Sequence, residues 1–428
     1  MRFVYLLISL FSIVPAMGWA QASMTGDWVA HYHLRDADGW ERMHLTQDGK
    51  TITGVAGDHK VSGTLDGAAL TLAEKKEKGD VFAITATIQD GEIVGHAHND
   101  GEDVEFRAAR EKTGPATPST HTFEPKVFHR LFSGSIEPVM HIFPGDTVKT
   151  WTVDAGGGDS HGKKLSNGGN PETGPFYVEG ALPGDQLVVK LNRVRLNRDN
   201  AFSGDRVTGG ALNPWYFAGQ EKVKDFDTEW LLDREHGVAR LKKPTEKLKD
   251  FTIPLRPMMG CIAVAPGGNM VLRSGFLGAY GGNMDYNEMR EGVTLYLPVN
   301  RPGALLFIGD GHAAQGDGEL TGDALETSMD VEFTVNVVRG GAKGQGGPRL
   351  ENDDYIMAMG IAGSLNEALQ SATTEMSKWL SKDFGLNTSE VAMVLGSSMR
   401  YDIAEVVDPY VNIVAKVNKK ALGGLKKK

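Results

Sequence analysis

The sequence predicts a mainly β protein with two β units and a helical segment near its C-terminus. Glycine accounts for 54 of 428 residues, and its tolerance of tight turns favours turn-rich β architecture over a helical bundle. Short alternating runs separated by glycine-containing turns fill the first quarter of the chain, and a pattern with helical spacing begins near residue 364.

Residues 1–20 have the pattern of a secretory signal peptide. Arg2 supplies a positive charge, residues 3–14 are apolar, and Gly18-Trp19-Ala20 resembles a cleavage site. The apolar stretch is too short to span a bilayer comfortably, which disfavours the alternative of a membrane anchor. We therefore expect a periplasmic or secreted protein with no membrane partner after cleavage.

Residues 21–112 are predicted to form a small antiparallel β domain, similar to a lipocalin barrel. Asp-Gly between alternating runs is a strong hairpin signal, and it occurs at residues 38–39, 48–49, 66–67 and 90–91, among other places. The pairs His31-x-His33 and His96-x-His98 could each bind a metal from one strand face. Surface or barrel-lining histidines are the simpler interpretation.

Residues 113–121 are predicted to be a linker, because proline, glycine and threonine dominate them. In the following domain, residues 122–428, two segments share a strand, a Pro-Gly-Asp turn at 144–146 or 183–185, and a second alternating strand. These hairpins suggest a β-sandwich. Residues 155–170 form a long glycine-rich loop, and loops of such length are usually functional or disordered.

The C-terminal region changes character and predicts two helices. Ser364 is a candidate N-cap and Gly385 a candidate C-cap of the first, and an Asn-Thr-Ser sequence at 387–389 opens the second. The apolar positions of the first helix are Leu365, Ala368, Leu369, Ala372, Met376, Trp379 and Leu380. Residues 402–418 return to a strand pattern.

The net charge and the single cysteine exclude some classes of function. The formal net charge of −10 disfavours a nucleic-acid partner. Cys261 stands in an apolar, strand-like run with no base nearby in the sequence, so we expect a buried side chain and not a nucleophile.

The stretch at 305–326, LLFIGDGHAAQGDGELTGDALE, concentrates polar residues after an apolar strand. Asp310 and His312 are two residues apart, so in an extended backbone both side chains point the same way. Carboxylate and imidazole groups are suitable ligands for Zn²⁺. Asp317 and Glu319 repeat the spacing. A merely polar turn would need only Asp, Gly or Asn, so the His, Gln and Glu point to a site.

Two other strand ends carry acids beside glycines. Asp285 follows Gly281-Gly282-Asn283, and Asp154 precedes the loop at 155–170. Each signal is weak by itself because such sequences are common in turns. Three acidic strand ends would together form a metal site if the fold brings them together.

Several strings resemble the acetamidase/formamidase family. They are GGNMD at 281–285, the run EGVTLYLPVNRPGALLFIGDGHAAQGDGELTGDALE at 291–326, NPETGPFYVEGALPGDQLVV at 170–189, PGDTVKTWTVDA at 144–155 and GCIAVAP at 260–266. Their order and approximate spacing also match, and the similarity covers about residues 120–420. The N-terminal β domain is not part of the usual family pattern.

The resemblance implies hydrolysis of short linear carboxamides to ammonia and the acid, by a CUB-like or jelly-roll β-sandwich. Carried over by motif, the metal ligands would be Asp154, Asp285, Asp310 and His312. Asp317 and Glu319 would transfer protons, and Gln315 would bind the amide. The metal is expected to be divalent, zinc first and calcium as the alternative. The loop at 155–170 and the exported location suggest a substrate other than plain formamide.

A second class of function remains open. An exported, non-catalytic β-sandwich that binds a carbohydrate or another small ligand, with structural calcium, would have the same fold class, so the fold cannot decide between them. For the enzyme the expected partner is a small amide. Homo-oligomer formation is also open.

Overall fold

The structure, a computed structural model, describes residues 23–34, 37–75, 81–99, 101–221 and 223–426. The chain divides after Glu111 into two compact units. The predicted signal peptide, residues 1–20, lies outside the described residues. Among the helices of the described ranges, none combines the length and the apolar character needed to cross a bilayer.

The first unit is a closed antiparallel barrel of eight strands, which confirms the predicted β domain. Three of the Asp-Gly pairs form hairpin turns, whereas Asp38-Gly39 lies inside the second strand. The strands are β1 Gly26–Leu34, β2 Ala37–Asp48, β3 Thr51–Ala56, β4 His59–Asp66, β5 Ala69–Lys75, β6 Val81–Gln89, β7 Glu92–Asn99 and β8 Glu102–Arg110.

Alternate side chains fill the barrel with apolar groups, among them Trp28 and Leu45, because successive residues of a strand face opposite sides. The histidines of β1 belong to the other face. His31 Nε2 and His33 Nδ1 lie 3.1 and 3.2 Å from the same oxygen of Asp38. This geometry agrees with the simpler interpretation of surface histidines.

The second unit contains two large sheets, which gives the predicted β-sandwich. Its strands are β9 Thr120–Thr122, β10 Leu131–Ser133, β11 Met140–Ile142, β12 Thr147–Thr152, β13 Thr173–Val178, β14 Gln186–Leu196, β15 Asn200–Phe202, β16 Glu229–Asp233, β17 Val238–Leu241, β18 Thr252–Pro254, β19 Met258–Ala263, β20 Val271–Arg273, β21 Leu277–Gly278, β22 Gly281–Asn283, β23 Thr294–Pro298, β24 Leu306–His312, β25 Glu326–Thr327, β26 Met329–Val338, β27 Arg349–Glu351, β28 Tyr355–Ala362, β29 Met399–Glu405 and β30 Val411–Asn418.

One sheet has the order β29-β30-β28-β27-β23-β14-β26-β12-β9, and the other follows β18-β17-β16-β15-β25-β24-β19-β22-β21. Their facing side chains form one apolar core, in which the rings of Phe176 and Phe333 pack edge to face at 5.3 Å. Strand β24 lies between β19 and β25 in the second sheet. The polar stretch singled out in the sequence therefore ends a central strand, which is rigidly held on both sides.

Within the described residues the helices are α1 Pro214–Ala218, α2 Leu365–Phe384, α3 Thr388–Ser398 and α4 Lys419–Leu422. The predicted caps of α2 are present, since Ser364 accepts a hydrogen bond from Glu367 N and Gly385 adopts a left-handed conformation. The apolar face of α2 packs on β28 and β30. Two of its predicted core positions, Leu365 and Leu369, are exposed.

The segment predicted as a linker, residues 113–121, makes specific contacts within the second unit. Ser119 N donates to Asp146 Oδ1 at 2.6 Å, and His121 Nε2 lies 2.9 Å from Asp146 Oδ2. Strand β9 begins at Thr120 and pairs with β12. The second unit as a structural body therefore includes this segment.

A chain shortened to residues 112–428 is expected to be soluble and to unfold cooperatively, because the second unit has its own core. A chain that begins at residue 119 should melt at a lower temperature than the 112–428 protein, since it lacks the segment that leads into the Asp146 contacts. Thermal unfolding of both truncated proteins and the full chain makes the comparison. Insolubility of the 112–428 protein would show that the barrel is required for folding.

Candidate active site

Strand β24 presents Asp310 and His312 in one small buried volume, as their spacing predicts. His312 Nε2 lies 3.3 Å from Asp310 Oδ2, and both side chains are almost inaccessible to solvent. The strand pairs with β19 on one side and with β25 on the other, which holds the backbone that carries both side chains.

Glu326, which the sequence analysis missed, is the nearest acid to His312. The register of β24 and β25 sets His312 directly opposite Glu326, and Glu326 Oε1 lies 3.1 Å from His312 Nε2. Glu319 comes from the loop between these strands, with Oε1 at 4.0 Å from the same nitrogen. In the sequence, only a predicted hairpin that pairs residue 312 with residue 326 would have pointed to Glu326.

Asp285 enters the site from another hairpin. It follows β22, and its backbone N–H donates to Gly260 O on the neighbouring strand at 3.1 Å. Ligand atoms of Asp285, His312 and Glu319 lie within 4.8 Å of one another, and so do those of Asp310, His312 and Glu326. Three of the four predicted metal ligands therefore converge with two glutamates.

Gln315 sets the protonation of the imidazole. Its Nε2 donates to the backbone carbonyls of Asp285 and Ala404, which can only accept, so its Oε1 faces His312. That oxygen lies 2.9 Å from His312 Nδ1, and Nδ1 must donate to it. In the neutral imidazole the lone pair of Nε2 then points at the carboxylates, which is the second-layer arrangement typical of metal-binding histidines.

Several buried polar atoms at this point have no hydrogen-bond partner in the part of the chain that is described. They are both carboxylate oxygens of Asp285, Oδ1 of Asp310, Nε2 of His312 and Oε2 of Glu326. Buried polar atoms without partners are rare and costly. A lone pair among carboxylates is repulsive unless a cation lies between them, so these residues fit a divalent metal ion.

The distances favour one group of ligands over the other. Bonds of about 2.0–2.2 Å in a tetrahedral zinc site separate neighbouring ligand atoms by roughly 3.3–3.5 Å. The separations of 3.3 and 3.1 Å from His312 Nε2 to Asp310 and Glu326 are close to this value, and the 4.0 Å to Glu319 is longer. Asp310, His312 and Glu326 are therefore the better ligand set, with Glu319 beside them.

Burial and mutual repulsion shift the pKa values of these groups. Burial, followed by the charges of Glu319 and Asp310, raises the pKa of Asp285 well above its ordinary value. Burial also raises the pKa of Glu319, and it raises that of Glu326 to about 8. For His312, burial lowers the pKa, but Glu326 and Asp310 outweigh it, so the net shift is upward. Protons or a divalent cation would relieve this excess of negative charge.

Three of the acids occupy left-handed backbone conformations that non-glycine residues rarely adopt. The φ angles are 40° for Asp285, 55° for Asp310 and 45° for Glu319. Such conformations cost free energy and tend to cluster at functional sites. Their coincidence with the unpartnered carboxylates indicates that the arrangement serves chemistry at the expense of stability.

A cavity of about 300 Å³ opens beside this group and is large enough for a small ligand. Asp310, Glu319 and Glu326 line one part of it, and Asn170, Phe276 and Asp408 line others. The loop at 155–170 contributes Ala155, Gly169 and Asn170 to the wall, so part of this long loop reaches the candidate site.

The remaining predicted residues lie outside the cluster. Asp154 forms an ion pair with Arg198, with 2.6 Å between Oδ2 and Nη1, so its charge is already neutralised. Asp317 is exposed and accepts from Asn287 Nδ2 at 2.8 Å. Gln315 contacts His312 and two backbone carbonyls and is not among the side chains that line the cavity. We therefore replace Asp154 by Glu326 as a ligand candidate and remove Asp317 and Gln315 from the reacting groups.

Glu405, near this site, predicts a dependence of stability on pH. Burial, followed by the charge of Asp408, raises the pKa of Glu405 from 4.5 to about 8. The folded state then holds a proton that the unfolded state has lost, so this contribution to stability is present below pH 4.5 and lost as the pH rises through 8. Replacing Glu405 with Gln should flatten the fall in melting temperature of metal-free protein between pH 5 and pH 8. Identical slopes for the two proteins would contradict the shift.

Comparison with known proteins agrees with this geometry. Residues 278–418, which include Asp285, Asp310, His312, Glu319 and Glu326, match the model of the acetamidase/formamidase family. A formamidase of Methylophilus methylotrophus is 23% identical, over 65% of this chain and 85% of its own length. An acetamidase of Mycolicibacterium smegmatis is 24% identical, over 41% of this chain and 55% of its own length.

Solved structures extend the similarity to the fold. The crystal structure of an acetamidase from Yersinia enterocolitica has 28% sequence identity and a TM-score of 0.59, covering 71% of this chain and 93% of that one. Two of the three curated relatives are matched over less than two thirds of their own length, 64% and 55%. The resemblance to the acetamidase/formamidase family seen in the motifs is confirmed, by the family model over residues 278–418 and by the relatives and solved structures.

Proposed function

We propose that this chain hydrolyses the C–N bond of short linear carboxamides, similar to acetamide and formamide, releasing ammonia and the carboxylic acid. The observation that carries this proposal is the buried group of acids around the free Nε2 of His312, at the edge of a cavity that can hold a small amide. The match of residues 278–418 to the family model and the names of the relatives support an amidohydrolase.

Asp310, His312 and Glu326 would hold a divalent metal, zinc by the donor set and the spacing, with calcium as the alternative. When bound, zinc lowers the pKa of water to about 7, which supplies a nucleophile at neutral pH. Gln315 accepts from Nδ1 of the imidazole, so the neutral ring would offer its Nε2 to the metal. The glycines and the paired strands hold the backbone of these residues, so metal binding would need no large rearrangement.

Glu319 is the group that would move protons. Its carboxylate lines the cavity and lies outside the tighter ligand set. Burial raises its pKa and makes its carboxylate a stronger base, so it would take a proton from the attacking water and deliver it to the amide nitrogen as the C–N bond breaks. Asp285 adds a further buried carboxyl group beside His312 and Glu319.

Ammonia release from a panel of short amides, measured with bound metal on the same preparations, tests the proposal. Turnover should disappear when the metal is removed by a chelator and return when zinc is added. Stoichiometric metal without turnover on any amide would favour the other class of function, an exported β-sandwich that binds a carbohydrate or another small ligand.

We also propose that the protein is exported to the periplasm or secreted, on the pattern of residues 1–20. Mass spectrometry of the mature N-terminus tests this, with Gln21 as the expected first residue. A full-length chain that starts at Met1 and stays with the cytoplasmic fraction would contradict it.

A further inference from the structure

Three polar side chains form a hydrogen-bonded row along the wall of the cavity. Asn283 Nδ2 donates to Asp408 Oδ2 at 2.8 Å, and Asn170 Nδ2 donates to Asn283 Oδ1 at 2.9 Å. All three residues line the cavity that Asp310 and Glu319 also line. The row thus faces the place where the proposed substrate would lie.

The row has a fixed direction. The amide of Asn283 donates its nitrogen to Asp408 and therefore turns its oxygen towards Asn170. Asn170 must then give its own nitrogen to Asn283. Its Oδ1 is left as an acceptor, and among the described residues no donor reaches it.

The backbone holds Asn170 in this position. Its φ angle is 51°, a left-handed conformation that asparagine tolerates better than most residues. The N–H groups of Gly169 and Asn170 both donate to Ala155 O, at 3.0 and 3.3 Å, and Ser274 Oγ donates to Gly169 O at 3.0 Å. A restrained loop end therefore holds Asn170, with its free oxygen, in the wall of the cavity.

We propose that Asn170 is a specificity residue whose side-chain oxygen accepts a hydrogen bond from the N–H of the substrate carboxamide. The inference rests on the proposed function and deepens it. An acceptor of this kind favours amides that carry an N–H over esters of the same size, because an ester leaves the acceptor unpaired. Asn170 would select the substrate and take no part in proton transfer.

The test compares acetamide and methyl acetate as substrates of the metal-loaded protein and of the Asn170→Gly variant. Glycine adopts the left-handed backbone without strain, so only the side chain is lost. We expect kcat/KM for acetamide to fall roughly tenfold or more through KM, with little change for the ester. Asn167→Gly makes the same change at an exposed position of the same loop that does not line the cavity, and should leave both values unchanged.

Equal losses on amide and ester would mean that Asn170 only supports the loop, and no loss on the amide would remove it from substrate recognition. The affinity for acetamide, measured by calorimetry, separates this inference from the proposed function. A protein without amide turnover would overturn the proposed function. If the wild-type protein also bound acetamide no more tightly than the Asn170→Gly variant, the role of Asn170 would be overturned as well.

Discussion

Replacing Glu319 with Gln is expected to lower amide turnover by roughly 10²–10⁴-fold, the usual contribution of a positioned general base. Metal content should stay near that of the wild-type protein. The side chain keeps its size, and its Oε1 lies 4.0 Å from His312 Nε2, beyond the spacing of the tighter ligand set. The measurement is metal content and ammonia release on the same preparations.

The charge of the site explains why Glu319→Gln should lower turnover and leave metal content unchanged. Asp310 and Glu326 lie closer to Nε2 and retain their carboxylates in this variant, so the groups expected to bind the metal are unchanged. What is lost is the carboxylate that can accept a proton inside the cavity. Burial raises the pKa of Glu319, which makes its carboxylate a stronger base than an exposed one would be.

Two variants make the comparison decisive. His312→Ala removes the nitrogen ligand and should lower metal content and turnover together. Asp317→Asn is the matched change two residues away, at an exposed carboxylate, and should change neither. Full activity in Glu319→Gln would exclude it as the base, whereas loss of metal would assign it to the ligands, in the group with Asp285 and His312.

Part of this site follows from the sequence because it depends on local geometry. Asp310 and His312 share a strand face at a spacing of two, and β24 is long and buried, so their convergence was predictable. Glu326 was not, because its position depends on the register of β25 against β24 across a loop of thirteen residues. Register across a loop of that length is not set by turn chemistry.

The error at Asp154 has a different origin. The motif and the position at a strand end suggest a ligand, but Arg198, which is distant in sequence, forms an ion pair with it. An ion pair between residues so far apart leaves no periodic signal in a sequence. The role of Gln315 could not be predicted from the sequence either. It orients His312 because its nitrogen donates to two backbone carbonyls, and these are near it only in the folded chain.

Some features of the fold were likewise predictable from the sequence and others were not. The hairpins of the barrel and the caps of α2 were predictable because turns and caps depend on a few neighbouring residues. The strand order of the two large sheets was not, since β14 lies between β23 and β26 and β19 between β22 and β24. Tertiary packing of the apolar faces decides such an order, and many orders satisfy the same alternation.

Replacing Gly260 with Ala is expected to abolish metal binding and to lower turnover by at least about 10²-fold, the effect of moving catalytic groups by about 1 Å. Gly260 lies in β19 beneath the site. An added Cβ would stand 2.4 Å from Asp310 Oδ2, 2.5 Å from Asp285 Oδ1 and 2.9 Å from His312 Cε1. These distances are shorter than real contacts, so the three groups must move apart.

The matched control is Gly396→Ala in helix α3, where the added methyl meets open space and alanine favours the helix. That variant should keep wild-type metal content and turnover. Circular dichroism of Gly260→Ala should still show the β-rich fold, because the added methyl collides with the side chains of the site and not with the two sheets that form the core. Wild-type metal content in folded Gly260→Ala would mean that the metal does not bind where these three side chains converge, and the assignment of Asp310 and His312 as ligands would fail with it.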